Sequence, residues 1–299
     1  MIIRRGPFGE VPSGKIRRLA GFIIRMALIC VYWQRGAQYN KYGSVVSPSE
    51  LYIQRDKQLG IRAREFCNLM SPANIPSGSL KRFGPIGDGG YFLPWNILDH
   101  AQYLISCGIG SNNDFEIDLA QRGFKGIQID NSISKAPKLH NNLTFLYQTL
   151  GGKTGITIGD LVNNYAHSEK FVLKLDVEGS EYGVLEEFHD LKRFKAIIIE
   201  FHFLHLICET VFWENIKEIL HRFQETHILA YINPNNYSGF SVIGGVPIPI
   251  TMEVLFVSIG VLSASPSDTK FEAHPENQLQ NNPDWAQLMV THFFPMKQT

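Results

Sequence analysis

Cysteine is scarce and scattered in this chain. Four occur in 299 residues, Cys30, Cys67, Cys107 and Cys208, with none of the paired spacing of a zinc site. That excludes a disulfide framework and a structural zinc as the source of stability. Cys107 and Cys208 fall in apolar stretches and read as small buried hydrophobes. An excess of one charge is missing as well. With 28 basic against 28 acidic residues, no field of one sign points to nucleic acid or to an anionic lipid surface, and no nucleic-acid partner is expected. Internal repeats are absent. So is an apolar run long enough to span a bilayer. The run 19–33 carries Arg25 in its middle, and fifteen helical residues reach only about 22 Å against a hydrocarbon core of roughly 30 Å. Lys15, Arg17 and Arg18 before it, with Gln34 and Arg35 after it, still give the outline of a signal anchor, and no small-residue cleavage site follows. The expectation is an amphipathic or buried helix in a cytoplasmic protein, with membrane association through 19–33 as the alternative.

A hydrophobic content of 44% is enough for one large core and a small appendage. From Ala101 onward the chain alternates regularly. The apolar run 103–107 reads as a buried strand ending at Gly108-Ile109-Gly110. Asn112, Asn113 or Asp114 then caps a helix running to about Arg122. Strands follow at 126–130, 143–147, 170–176 and 195–201. A short helix capped by Asp160, with Leu161, Val162 and Tyr165, precedes the fourth strand, and helices at 180–188 and 211–223 frame the fifth. Strands separated by helices imply parallel pairing with right-handed crossovers. The last two strands, 227–232 and 252–258, are joined only by the Pro/Gly/Asn loop 233–250, which suits an antiparallel final strand. The expected fold is α/β, a doubly wound, mostly parallel sheet over 75–260. An extension precedes it at 1–74 and a polar, Pro-containing one follows at 261–299.

In such a sheet ligands bind at the carboxyl ends of the strands, where strand order reverses. The polar residues gather there. Gly108 and Gly110 follow the first strand, where the lack of a Cβ lets backbone approach a ligand. The helix opening at Asn112 aims free N–H groups at the same place. Asp130 ends the second strand, where a carboxylate can accept from both hydroxyls of a ribose. Asp176, Glu178 and Glu181 follow the fourth strand, and Glu200 and His202 end the fifth. Singly these are weak signals: Gly-x-Gly turns are common without a ligand, strand-end acids often face water, and acids favour helix N-termini. Together they line adjacent edges of one cleft.

At these residues a resemblance becomes specific. LKLDVEGSEYGVL, 173–185, resembles the signature of the FkbM-type methyltransferases. SCGIGSNNDFEIDLAQRG, 106–123, is similar to the cofactor loop of a methyltransferase-like subgroup of that family. GDGGYFLP (87–94), IIIEFH (197–202), NPNNYSG (233–239) and PITMEVLFVS (249–258) agree in order, so the likeness runs from about Arg82 to Ser258. It implies a class I methyltransferase (Rossmann-like) fold and transfer of a methyl group from S-adenosylmethionine to a hydroxyl oxygen of a sugar, glycan or small polyol. It also implies a cofactor site of Cys107, Gly108, Gly110, Asn112, Asp130 and Asp176. Two departures stand out: Ser106 lies where class I enzymes often carry an acid, and Asn233-Pro234 where the subgroup often has a histidine.

The candidate catalytic residues are His202, Asp176 and Glu178. Either His202 is the general base, because neutral imidazole titrates near the working pH, or Asp176 and Glu178 hold a divalent metal that acidifies the hydroxyl. His202 is slightly preferred, and Glu181 either orients its segment or touches substrate. Two other classes compete. An NAD-dependent oxidoreductase would use the same glycine turn and Asp130, but Gly108-x-Gly110-x-x-Asn113 lacks the third glycine of the dinucleotide fingerprint. A non-catalytic protein could keep the fold for partner binding.

Overall fold

The structure, a computed structural model, describes residues 53–54, 56–76, 78–152, 154–164 and 170–262. In chain order these form β1 (Ile53–Gln54), α1 (Lys57–Leu69), β2 (Leu80–Phe83), β3 (Tyr91–Pro94), α2 (Ile97–His100), β4 (Tyr103–Cys107), α3 (Asp114–Gln121), β5 (Lys125–Ile129), β6 (Leu143–Leu146), α4 (Ile158–Asn164), β7 (Phe171–Leu175), α5 (Glu181–Glu187), β8 (Phe194–Phe201), α6 (Thr210–Gln224), β9 (His227–Pro234), β10 (Phe240–Ile243), β11 (Val246–Pro249) and β12 (Met252–Ser258).

Seven strands make one sheet in the order β6-β5-β4-β7-β8-β12-β9. All pair in parallel except β12, which is antiparallel to both β8 and β9. This is the class I methyltransferase order, and the expected antiparallel final strand is present. It sits inside the sheet between β8 and β9, one place in from the edge. The chain leaves β4 towards β5 and β6 on one side and returns to β7 and β8 on the other, so order reverses between β4 and β7.

Both faces of the sheet are covered, so the strands are mostly apolar and their side chains alternate between two layers. Ile105, Ile197, Ile199, Val254 and Phe256 face one layer, closed by Phe66 of α1, Leu161 of α4, Leu185 of α5 and Ile216 and Leu220 of α6. Leu104, Ile198, Leu255 and Val257 face the other, closed by Phe115 and Leu119 of α3, Ile97 of α2 and the β2–β3 hairpin. In α6 the buried residues Trp213, Ile216, Leu220 and Phe223 recur at helical spacing and form its core-facing stripe.

Three expectations need correction. The compact part begins before residue 75: Ala63, Phe66, Cys67 and Met70, in and just after α1, are buried in the main core. Their apolar spacing is diluted by charge, which hid the helix. The loop 233–250 is not irregular throughout, because β10 and β11 form a hairpin and β1 adds to β10 in parallel. Gly244 and Gly245, both at positive φ, make the two-residue turn that primed hairpins require. Third, α4 is capped by Thr157 rather than Asp160. The amide of Asp160 donates to Thr157 Oγ1 at 3.0 Å, and the amide of Thr157 donates back to Asp160 Oδ2 at 3.0 Å, a reciprocal capping box. Tyr165, the run 19–33 and the tail from 263 lie outside the described residues. Among the described residues no helix is long and apolar enough to cross a membrane.

His227, at the start of β9, is almost fully buried. Nε2 donates to the carbonyl of Phe194 at 3.0 Å, and Nδ1 accepts from Thr226 Oγ1 at 2.7 Å. Burial is the main cause that lowers its pKa from the usual 6.5 to about 4. Between those values the unfolded chain binds a proton that the folded chain refuses, so stability is full above 6.5 and drains as pH falls towards 4. Urea unfolding across this range is expected to lose up to about 3 kcal/mol from this residue. His227→Gln should flatten that acid limb, and an unchanged slope would show that other groups set it.

Candidate active site

The carboxyl end of β4 is where the chain turns under greatest crowding. Gly108 still belongs to the ladder on one side, donating to Ile129 O at 2.9 Å, while on the other the amide of Asp176 donates to Cys107 O at 3.0 Å. Gly108 then turns at φ 80°, and a Cβ there would lie 1.6 Å from the carbonyl oxygen of Asp176. Only glycine fits.

The turned backbone aims two amides at one carboxylate. Ile109 N and Gly110 N donate to Asp130 Oδ2 at 2.7 and 2.9 Å, and Ser132 N and Oγ donate to Oδ1 at 2.6 Å each. Burial alone would raise the pKa of Asp130, but the Ser132 hydroxyl and the amides of Gly110, Ser132 and Ile109 together hold it below the ordinary carboxylate range. Four donors fill its four lone-pair positions. The carboxylate anchors the glycine turn, and of its four donors only the Ser132 hydroxyl rotates freely.

A cavity of about 460 Å³ opens over this edge, lined by Gly108, Gly110, Asn112, Asp130, Asp176 and Glu178 among others. Asn112 Oδ1 accepts from Asp114 N at 3.0 Å and so shapes the start of α3. Cys107, of the expected cofactor set, stands apart from the cavity. Its side chain is fully buried in the apolar core and does not line the cavity, because alternation along β4 turns it inward.

The lining also includes Asp88, Tyr91, Glu116 and Lys174, which lie within the motifs quoted above but were given no role in the site. Lys174, buried on β7, donates to Gly108 O at 2.5 Å and lies 3.8 Å from Glu116 Oε1 and 3.9 Å from Asp176 Oδ2. Burial alone would lower its pKa; Glu116, Asp176 and Glu200 outweigh that and raise it. A lysine inside the otherwise apolar strand FVLKL was a readable signal, since lysine is almost never fully buried unless paired. Ser106 Oγ donates to Glu116 Oε1 at 2.6 Å. The carboxylate that position 106 lacks is thus supplied from α3. Tyr91 donates from its hydroxyl to Asp176 Oδ2 at 3.3 Å.

A second cluster adjoins the cavity. Glu181 is fully buried, and its Oε1 accepts from Val177 N and Gly179 N at 3.2 Å each and from His202 Nδ1 at 2.8 Å. Wrapping the turn round this carboxylate puts Glu178 at φ 53°, a left-handed backbone that a non-glycine residue holds only when its surroundings impose it. His202 does not line the cavity. It is tied to it through Glu178, with Nε2 3.4 Å from Glu178 Oε2 and 4.0 Å from Glu200 Oε2. Burial would lower the pKa of His202, but Glu181, Glu200 and Glu178 overcome it and push it up to about 10. The surrounding carboxylates thus favour the charged form of His202. Glu200, which accepts from Asn235 Nδ2 at 2.6 Å, is pushed well above its ordinary range by burial and then by Asp176. One ligand atom each from Asp176, Glu178 and His202 fall within 4.8 Å of one another.

Residues 99–238 match the family model described as the Methyltransferase FkbM domain. Among curated proteins none matches the sequence. Among solved structures the chain is similar to the fibrillarin pre-rRNA processing protein of Methanococcus jannaschii, at 12% identity over 54% of this chain and 68% of that one, with a TM-score of 0.34. It is also similar to magnesium protoporphyrin IX methyltransferase from Synechocystis with bound SAM, at 16% identity, coverage of 55% and 74%, and a TM-score of 0.28. A third is human Methyltransferase-like protein 13 in complex with SAH, at 10% identity, coverage of 58% and 76%, and a TM-score of 0.30. The strand order, rather than these likenesses, identifies the fold.

The two glycines of the turn should differ sharply on substitution. Gly110 also has positive φ, but a Cβ there would meet nothing within 4 Å. Gly110→Ala is expected to cost about 1–2 kcal/mol, the ordinary penalty for left-handed backbone, and Gly108→Ala several times that. Thermal unfolding of the two variants checks this. Equal losses would mean that β4 and β7 can part without cost.

Proposed function

We propose that this chain, which carries a methyltransferase FkbM domain over residues 99–238, transfers a methyl group from S-adenosylmethionine to a hydroxyl of a sugar, glycan or small polyol. The observation that carries this reading is one cavity, at the point of strand reversal, bordered by both the Gly108–Gly110 turn and the carboxylates of Asp176 and Glu178. The residues fit the cofactor. No side chain from the turn fills the cavity, Ser132 can give way at Asp130, and a wall rich in acids suits a ligand carrying a sulfonium and an ammonium. Bound S-adenosylmethionine supplies an activated methyl carbon, so the protein has to align the hydroxyl, exclude water and take up one proton.

The charge of the lining narrows the acceptor. Asp88, Glu116, Asp130, Asp176 and Glu178 stand against Lys174, and such a field repels phosphate. A neutral hydroxyl compound suits it better than a polynucleotide.

For the proton, the carboxylates that raise the pKa of His202 weigh against it as the base. The donor set favours the metal-assisted route, because two carboxylate oxygens and an imidazole nitrogen in reach of one another suit a divalent cation. Asp176, Glu178 and His202 Nε2 would hold it, with His202 giving up its proton to the ion's competition, and it would lower the pKa of the acceptor hydroxyl. Glu181 accepts from Nδ1 and so leaves Nε2 facing Glu178, the carboxylate–histidine arrangement common behind metal-bound imidazoles. Glu181 also keeps a second buried oxygen, Oε2, without a hydrogen-bond partner, which adds to the negative potential behind the ligand set.

Transfer of labelled methyl from S-adenosylmethionine to a panel of glycans and small alcohols tests the reading. Chelation is expected to abolish transfer and Mg²⁺ or Mn²⁺ to restore it. Asp176→Asn should lower turnover by about a hundredfold or more. Transfer that survives both chelation and His202→Ala would remove the metal and the histidine together. Labelled product only on amines or carboxylates would overturn the hydroxyl assignment.

A further inference from the structure

The loop 84–90, between β2 and β3, reaches one end of the cavity and is held from two sides. Arg82 donates from Nε to Pro85 O at 2.8 Å and from Nη2 to Gly87 O at 2.5 Å, while Gly84 N donates to Asp118 Oδ2 of α3 at 3.1 Å. Held in this way, the loop carries Asp88 and Gly89 into the cavity wall. Tyr91, three residues beyond Asp88, donates to Asp176 Oδ2 at 3.3 Å and has Lys174 Nζ 5.3 Å from its ring centroid, which sets this end of the loop at the β7 side. Asp130 stands at the β5 side. Because β5 and β7 flank β4 on opposite sides, Asp88 and Asp130 mark opposite ends of the cavity, with the Gly108–Gly110 turn between them.

A nucleoside placed at Asp130 sends the amino-acid tail of the cofactor towards Asp88 and Asp176. Two like charges face the same space there. A cation set between the two carboxylates removes that repulsion. The other acids of the wall are already served, Asp130 by four donors and Glu116 by Ser106 and Lys174. Asp88 has the adjoining amide of Gly89, which leaves acceptor capacity for a ligand ammonium.

We propose that Asp88 is a cofactor-binding residue that takes the primary ammonium of the amino-acid tail of S-adenosylmethionine, across from Asp176. This rests on the S-adenosylmethionine reading of the cavity. Calorimetric titration of the full chain with S-adenosylhomocysteine and with 5′-methylthioadenosine, which lacks the tail, separates the two ideas. Asp88→Asn is expected to weaken S-adenosylhomocysteine about tenfold or more, as a charge-assisted contact is lost, while leaving 5′-methylthioadenosine at the wild-type affinity. Unchanged affinity for S-adenosylhomocysteine would overturn the proposal. Equal weakening of both nucleosides would overturn it too, since the loop would then only shape the cavity. If the wild-type protein binds neither nucleoside, the cofactor reading itself falls.

Discussion

The close approach of β4 and β7 at their carboxyl ends is the constraint on which the site depends. The backbone of Gly108 lies where no Cβ can fit against the carbonyl of Asp176, so the chain must leave β4 through a left-handed glycine. That turn exposes the amides of Ile109 and Gly110, and exposed buried donors require an acceptor. Asp130 supplies it from the neighbouring strand. The remaining carbonyl of Gly108 is met by Lys174, which reaches from β7 and in turn draws Glu116 and Asp176 to itself. Sheet topology, glycine geometry and electrostatics therefore converge on one edge because each step leaves a polar group that the next must satisfy.

The same edge carries more negative charge than its own cations balance. Lys174 serves Glu116 and Asp176, and His202 serves Glu178, Glu181 and Glu200. The raised pKa values of Glu200 and His202 are two consequences of that imbalance: one acid is driven towards its neutral form and the histidine towards its charged one. A site built this way has an affinity for added positive charge. In the proposed reading a sulfonium cofactor with an ammonium tail would meet that need on one side of Asp176, and a divalent ion on the other.

Most of the fold was legible because its strands are buried on both faces and its helices show apolar stripes at helical spacing, α6 most clearly. What stayed hidden had physical reasons. The helix α1 carries arginine and glutamate around a narrow buried face that includes the small residues Gly60 and Ala63, so the burial of Phe66 and Cys67 was not visible in composition. The β10–β11 hairpin was masked by the prolines and glycines around it, although Gly244-Gly245 was a usable turn signal. At the site, Asp130, Asp176 and Glu178 could be placed by strand ends alone. The inward turn of Cys107 depends on sheet alternation, which sets the face of each side chain. The charge state of His202 could not be read from sequence, since it depends on three acids from separate segments meeting one imidazole. Lys174 and Glu116 form a pair only once α3 is folded against β4, although a lysine in an apolar strand was a warning that a partner had to exist.

The central claim is that the cavity over the Gly108–Gly110 turn selects S-adenosylmethionine and not a nicotinamide dinucleotide. Parallel titrations of the wild-type chain with S-adenosylmethionine and with NAD⁺ test it most directly. The account predicts saturable binding of one S-adenosylmethionine per chain and none of NAD⁺, because the turn lacks the third glycine that lets a pyrophosphate approach and Asp88 and Asp176 repel its charge. Binding of NAD⁺ with indifference to S-adenosylmethionine would contradict it.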